Sequence, residues 1–383
     1  MKKLLSVLTV ISTLIYAFTF VGFAVEDVSL EIKAKSAVLM DVSTGKLMYA
    51  ENEHEKLYPA SVTKIMSLLL FVEAIDGGKI SLEDKVTTSA EAAAKGGSQI
   101  WLEVGETMTV DEMLKAVAIA SANDACCALG EYIAGSETAF VNMMNERAKE
   151  LGMNDTHFEN CSGLDDEAKN HLTSAYDIGV MSCELLKHDL IRKYSTVWMD
   201  SLRNGATELV NTNKLVRFYN GTTGLKTGTT SKAGKCLSAS AERDGLHLVA
   251  VVLGSETSDD RFESAKTLLN YGFANYETVD LTVDENLITD VKIIRGVEET
   301  VKPKIDELKK VTLKKGNKDK ISTEIILSTD VEAPVEKGQN FGKIVFKLNN
   351  ETVAEANLYS ENQVKKITFG DVLKFMLKSL TNG

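Results

Sequence analysis

In "AVLMDVSTGKLMYA" (37–50), two apolar runs flank Ser43-Thr44-Gly45, which has the chemistry of a hairpin turn. Next, in "LYPASVTKIMSLLL" (57–70), apolar positions recur at helical spacing through Ile65, Leu68, Leu69 and Val72, and Gly77-Gly78 supplies a stop. Pro59 keeps the residue before it extended, so this helix is expected to begin just before Ser61. A second helix should start at Thr109, which can form a capping box with Glu112. It carries Met113, Leu114, Val117 and Ile119 inward, and a break is expected near Ser121. Residues 136–152, 173–188 and 260–275 are helical in pattern, and 235–241 with 246–254 form a hairpin around "ERDG". Two hairpins separated by a long helical stretch predict a mixed sheet layered with helices, plus an inserted helical cluster. Regular βα alternation, which a doubly wound fold requires, is missing.

The pattern changes near residue 277. Short β-like runs with turns expected at Gly296, Gly316, Gly338 and Gly342 predict a small all-β module over 277–362. In "ITFGDVLKFMLKSLTNG", Phe369, Val372, Leu373, Met376, Leu377 and Leu380 share one helical face and Lys374 and Lys378 the other. This predicts an amphipathic helix within 365–383 that lies at a membrane interface, with docking on its own domain as the alternative. At the other end, "MKKLLSVLTVISTLIYAFTFVGFA" has a basic start, an apolar run and small residues at 22 and 24, as a signal peptide over 1–24 has. The body is therefore expected outside the cytoplasm.

Composition narrows the function. The chain has 383 residues, 44% hydrophobic and 26% charged, and a formal net charge of −12. That charge, without a basic stripe, excludes a general nucleic-acid binder. Its five cysteines are odd in number and lack C-x-x-C spacing, so neither a zinc site nor a disulfide framework is indicated, and burial as small apolar residues is expected.

Ser61 and Lys64 are three apart, hence neighbours on a helix. They could be a cap and a surface charge, or a nucleophile and its base. Alone, Ser-x-x-Lys decides nothing. Further along, "SAND" supplies Ser121 and Asn123 at the expected bend, and "GLKTGTT" supplies Lys226, Thr227 and Gly228 just before the second hairpin. Ser-x-x-Lys, Ser-x-Asn and Lys-Thr-Gly in that order are the set found in penicillin-binding proteins and β-lactamases.

Over about residues 30–276 the sequence resembles the low-molecular-mass penicillin-binding proteins that act as D-alanyl-D-alanine carboxypeptidases. Besides the three motifs, "NCSGLDDEAKNHLTSAYDIG" and "RFESAKTLLNYGF" look like the corresponding family segments. The resemblance implies a β-lactamase/transpeptidase-like α/β fold with an antiparallel sheet, a following β domain and a terminal helix that holds the enzyme at the outer face of the cytoplasmic membrane. It implies that Ser61 attacks the penultimate D-Ala carbonyl of a peptidoglycan stem peptide, and that Lys64 is its base, kept neutral by a crowded cationic pocket. Ser121 would pass a proton to the leaving D-Ala, positioned with Asn123. Lys226 and Thr227 would bind the substrate carboxylate, and Gly228 would let the peptide lie along the strand. The Ser61 and Thr229 N–H groups would form the oxyanion hole, and Arg261 would stand near the carboxylate pocket. No cofactor or metal is implied, and β-lactams would be covalent inhibitors.

Three features depart from the family pattern or stand out within it. Thr229 stands where many relatives carry His, Cys126-Cys127 is an unusual pair beside the bend, and His171 falls in a loop where a structural role is expected. A β-lactamase would require a deacylating loop glutamate, and no E-x-x-L-N pattern occurs over 153–175. A non-catalytic peptidoglycan-binding protein would be free to lose Ser61 or Lys64.

Overall fold

The structure, a computed structural model, describes residues 30–381 except residue 167. The expected signal peptide lies outside the described residues. Strands β1 (Ser36–Asp41) and β2 (Leu47–Glu51) form the first expected hairpin. Its turn is fixed by Asp41, whose Oδ1 accepts from the Ser43 N–H at 2.7 Å and the Ser43 hydroxyl at 2.6 Å.

The segment expected to be one helix from Ser61 is two pieces. A 3₁₀ turn, Ala60–Thr63, carries Ser61, and helix α1 (Lys64–Asp76) follows directly. The first eight residues after Lys64, Ile65 through Val72, are all buried, so the first turns of α1 are enclosed on every side rather than amphipathic. Helix α2 (Val110–Lys115) has the expected capping box, with the Glu112 N–H donating to Thr109 Oγ1 at 3.1 Å. It widens into a π-type turn over Ala116–Ala120 and stops at Ser121, which is left-handed at φ 65°. Helices α3 (Asn123–Ala134), α4 (Glu137–Glu150) and α5 (Ala175–Leu185) complete the helical cluster.

Strands β3 (Thr222–Thr230), β4 (Gly234–Arg243) and β5 (Leu246–Ser255) finish the main sheet in the order β2-β1-β5-β4-β3. Every pairing in it is antiparallel, which corrects the mixed sheet expected from pattern alone and agrees with the fold implied by the resemblance. Side chains alternate across it as the pleat demands. Val38 and Met40 enter the core beneath α1, while Ala37 and Leu39 enter the core covered by α6 (Ser258–Asn275). Strand β3, which carries Lys226, Thr227 and Gly228, is an edge strand beside the Ser61 turn.

Strand Tyr276–Val279 follows α6 directly and pairs with Val311–Lys314. Beyond it, residues 277–362 are β-rich, with a separate small core around Ile344, Phe346 and Leu358. Gly296, Gly316 and Gly338 fall between strands as expected. Gly342, expected at a turn, instead lies within strand Asn340–Leu348 at a shift in register. The last helix, α7 (Phe369–Thr381), exposes Phe369, Val372 and Leu373. Among the described residues, no helix is long and apolar enough to cross a membrane.

Candidate active site

Lys64 is fully buried, and its Nζ donates to Ser61 Oγ at 3.0 Å and to the Ser162 carbonyl at 2.9 Å. The Ser162 carbonyl thus holds the nitrogen against the hydroxyl. Burial lowers its pKa to about 8. The expectation of a crowded cationic pocket therefore needs correcting: desolvation dominates, because a buried ammonium loses its hydration. Lys226 is also fully buried and is pushed well down, by burial first and then by the charges of Lys64 and Arg261. Its Nζ donates to the Thr227 carbonyl at 3.1 Å.

The three motifs are tied together by bonds that the motifs themselves do not name. The Thr212 N–H donates to the Ile119 carbonyl, just before Ser121, at 3.2 Å. The Thr212 hydroxyl accepts from Thr227 Oγ1 at 2.7 Å. This links the end of the π-type turn to β3. On the far side, Cys126 Sγ contacts the Cys161 carbonyl at 3.4 Å, next to the carbonyl that holds Lys64. Asp124 accepts from the N–H groups of Ile100 and Leu102, each at 3.1 Å, and this folds the 96–102 loop over Asn123. Asn123 Nδ2 donates to the Gly96 carbonyl at 2.7 Å. Among the buried polar atoms that meet no protein partner in the described residues are Ser121 Oγ and Asn123 Oδ1, with Arg261 Nε nearby on α6. Such atoms are costly unless something else binds them.

Gly228 has a different neighbour from the one expected. A Cβ there would stand 2.7 Å from the Pro59 carbonyl oxygen and 3.0 Å from the Ser61 nitrogen. Glycine at 228 thus lets β3 press against the turn that bears Ser61. Arg261 is buried on α6 and donates through Nη1 to the Gly228 carbonyl at 3.0 Å, to Thr229 Oγ1 at 3.2 Å and to the Cys236 carbonyl at 3.3 Å. It clamps the strand end from behind, while Thr229 itself is exposed.

The family profile for D-alanyl-D-alanine carboxypeptidases matches residues 23–257, more than half of the chain. The chain belongs to this family. A second profile, for the C-terminal domain of penicillin-binding protein 5, matches residues 276–366. The chain is 43% identical over 382 residues to D-alanyl-D-alanine carboxypeptidase DacF of Bacillus subtilis, covering 98% of this chain and 97% of that protein. Its structure resembles penicillin-binding protein 5 of Haemophilus influenzae with a TM-score of 0.76 at 30% identity, covering 88% of this chain and 99% of that one. It also resembles penicillin-binding protein D2 of Listeria monocytogenes in its ampicillin-bound form, with a TM-score of 0.59 at 30% identity, over 64% of this chain and all of that one (100%).

In this carboxypeptidase, sequence reasoning missed Ser162, Thr212 and Gly163. Ser162 acts through its carbonyl, which no side-chain motif announces. Its signal was the quoted "NCSGLDD" stretch, where Asn160 Oδ1 accepts from the N–H groups of Ser162 at 3.1 Å and Gly163 at 2.7 Å to shape the turn.

The structural role expected for His171 agrees with the geometry. Its Nδ1 accepts from the Glu159 N–H at 2.9 Å, so Nε2 carries the proton and donates to Thr63 Oγ1 at 2.8 Å. Burial lowers its pKa to about 4, and burial lowers that of His247 to about 4 as well. An unfolded histidine takes up its proton near pH 6.5, before either folded one can. Stability should therefore be complete above pH 6.5 and fall as pH drops toward 4, by about 1.4 kcal/mol per pH unit for each histidine. Urea titrations across that range measure the slope, and His171→Gln should remove one histidine's share.

Proposed function

We propose that Ser61 is the nucleophile of a serine-type D-Ala-D-Ala carboxypeptidase that trims the terminal D-Ala from peptidoglycan stem peptides. The observation that carries this reading is the Ser61 hydroxyl 3.0 Å from a fully buried lysine whose proton affinity is reduced. Neutral Lys64 takes the hydroxyl proton as Ser61 Oγ bonds to the penultimate D-Ala carbonyl. The C–N bond then breaks, the amine of the terminal D-Ala leaves with a proton passed through Ser121, and water hydrolyses the ester. The Ser61 and Thr229 N–H groups receive the oxyanion. The open edge of β3 accepts the peptide as an added strand. Lys226 and Thr227 hold the terminal carboxylate, Asn123 Oδ1 takes a substrate N–H, and Arg261 acts through Thr229 and the strand.

β-Lactams acylate the same serine. No E-x-x-L-N glutamate occurs over 153–175, so the penicilloyl-ester persists and the protein is inhibited rather than acting as a lactamase. The test is incubation with a pentapeptide ending in D-Ala-D-Ala. Release of one D-Ala per peptide supports the reading, and an untouched peptide contradicts it.

The division into a peptidase domain (30–276), a β-rich domain (277–362) and a terminal helix within 365–383 is part of the same proposal. Export to the outer face of the cytoplasmic membrane follows from the signal-like start and from α7, whose exposed Phe369, Val372 and Leu373 suit a lipid interface. Deleting 367–383 should release the protein from anionic vesicles in a flotation assay while D-Ala release continues. Unchanged flotation would count against anchoring by this helix.

A further inference from the structure

Three of the five cysteines converge behind the active-site lysine. Cys126 and Cys127 lie on α3, Cys161 lies just before Ser162, and all three are fully buried. Glu137, the first residue of α4, reaches into the same place. Its Oε1 accepts from the Cys161 N–H at 3.2 Å, and its Oε2 is paired with Lys95. The Sγ atoms of Cys127 and Cys161 and a carboxylate oxygen of Glu137 all lie within 4.8 Å of one another. Ligands on a tetrahedral zinc ion stand about 3.3–3.8 Å apart, so a contraction of about an ångström would close the set. Separations of 10 and 24 residues along the chain hid it from spacing rules. Among the described residues, the remaining thiols, Cys183 on α5 and Cys236 on β4, belong to no such group.

The carboxylate side of this group is reachable, while the two thiols are fully buried. A cavity of about 800 Å³ is lined by Lys95, Glu137, Asn160 and Ser162 among others, so a small ion has a route to the carboxylate.

We propose that Cys127, Cys161 and Glu137 form a binding site for one thiophilic divalent cation of the zinc class, with the fourth position open to a ligand from the cavity. Binding converts both thiols to thiolates and releases two protons to solvent, while Glu137 is already a carboxylate and Lys95 balances the remaining charge. The site is separate from the substrate cleft but joined to it. Cys161 precedes Ser162, whose carbonyl accepts from Lys64 Nζ at 2.9 Å. A bound ion fixes the turn that holds the lysine, so Cys161 is a positioning residue in this account.

The test uses the full chain, stripped with a chelator and titrated with Zn²⁺, and with Co²⁺ as a spectroscopic probe. The expected result is one ion per chain, two protons released per zinc, thiolate-to-cobalt charge-transfer absorption and a raised Tm. Cys161→Ala and Glu137→Gln should each weaken binding roughly tenfold or more, whereas Cys183→Ala should leave it unchanged. Should Cys161→Ala lose its far-UV circular dichroism, Cys127→Ser serves in its place. Substoichiometric binding to the native chain overturns the proposal. So does undiminished binding in the ligand variants, or a disulfide joining Cys127 and Cys161 in the protein as isolated.

Discussion

Replacing Lys64 with methionine should abolish both D-Ala release and penicillin acylation while the protein stays folded. Losing one member of a catalytic set that acts as a unit costs on the order of 10⁴–10⁶ in rate. The fold should survive because Lys64 is fully buried, and a buried cation without an ionic partner is a burden that an apolar chain of similar length removes. Single-turnover acylation and thermal unfolding, measured together, separate the two effects. In the native enzyme the same lysine sets the pH dependence. With its pKa lowered to about 8, the reactive neutral form grows as pH rises, so the acylation rate should climb through a midpoint near 8. A Lys64→Met enzyme within tenfold of the native rate would remove Lys64 from the role of base.

Gly163→Ala should damage both stability and activity, through the backbone. Gly163 has φ +84°, and a Cβ there would meet the Ala60 carbonyl oxygen at 1.8 Å and Thr63 Oγ1 at 2.7 Å. Ala60 is itself left-handed at φ 51°, so the turn beside the nucleophile has little freedom to retreat. The added methyl must push the 160–165 turn away, and with it the Ser162 carbonyl that holds Lys64. The expected cost is about 3–5 kcal/mol of stability. Acylation should fall by about 10², the usual penalty of misplacing a catalytic group by an ångström. Chemical denaturation and penicillin labelling of the folded fraction measure each part. A variant with native stability and labelling would show that this contact is not restrictive.

The readable parts of this enzyme were those whose physics is local in sequence. Asp41 with the Ser43-Thr44-Gly45 turn, the Thr109–Glu112 capping box and the break at Ser121 each depend on residues within a few positions. The i,i+3 spacing of Ser61 and Lys64 survives in the structure even though a 3₁₀ turn replaces the first turn of the expected helix. Strand β3 was not legible from pattern, because "TTGLKTGTT" has no apolar alternation, and only the family resemblance implied a strand at Gly228. Its burial comes from polar partners such as Thr212 and Ser240 rather than from a greasy face. The carbonyl of Ser162 was hidden for the same reason as the Cys127–Glu137–Cys161 group: both arise from distant segments folded together. Cationic crowding was the wrong first cause for Lys64, since residue types reveal neighbours' charges but not the depth of burial. The likeness to a known family supplied the antiparallel sheet, which pattern alone had left as mixed.

The central claim is that Ser61, activated by Lys64, becomes an acyl-ester. Intact-mass spectrometry of the purified protein after brief exposure to benzylpenicillin tests it most directly. The account predicts one penicilloyl adduct per chain, mapped by peptide analysis to Ser61, persisting over many minutes and absent from Ser61→Ala. An adduct on another residue, or unmodified protein alongside rapidly hydrolysed penicillin, would contradict it.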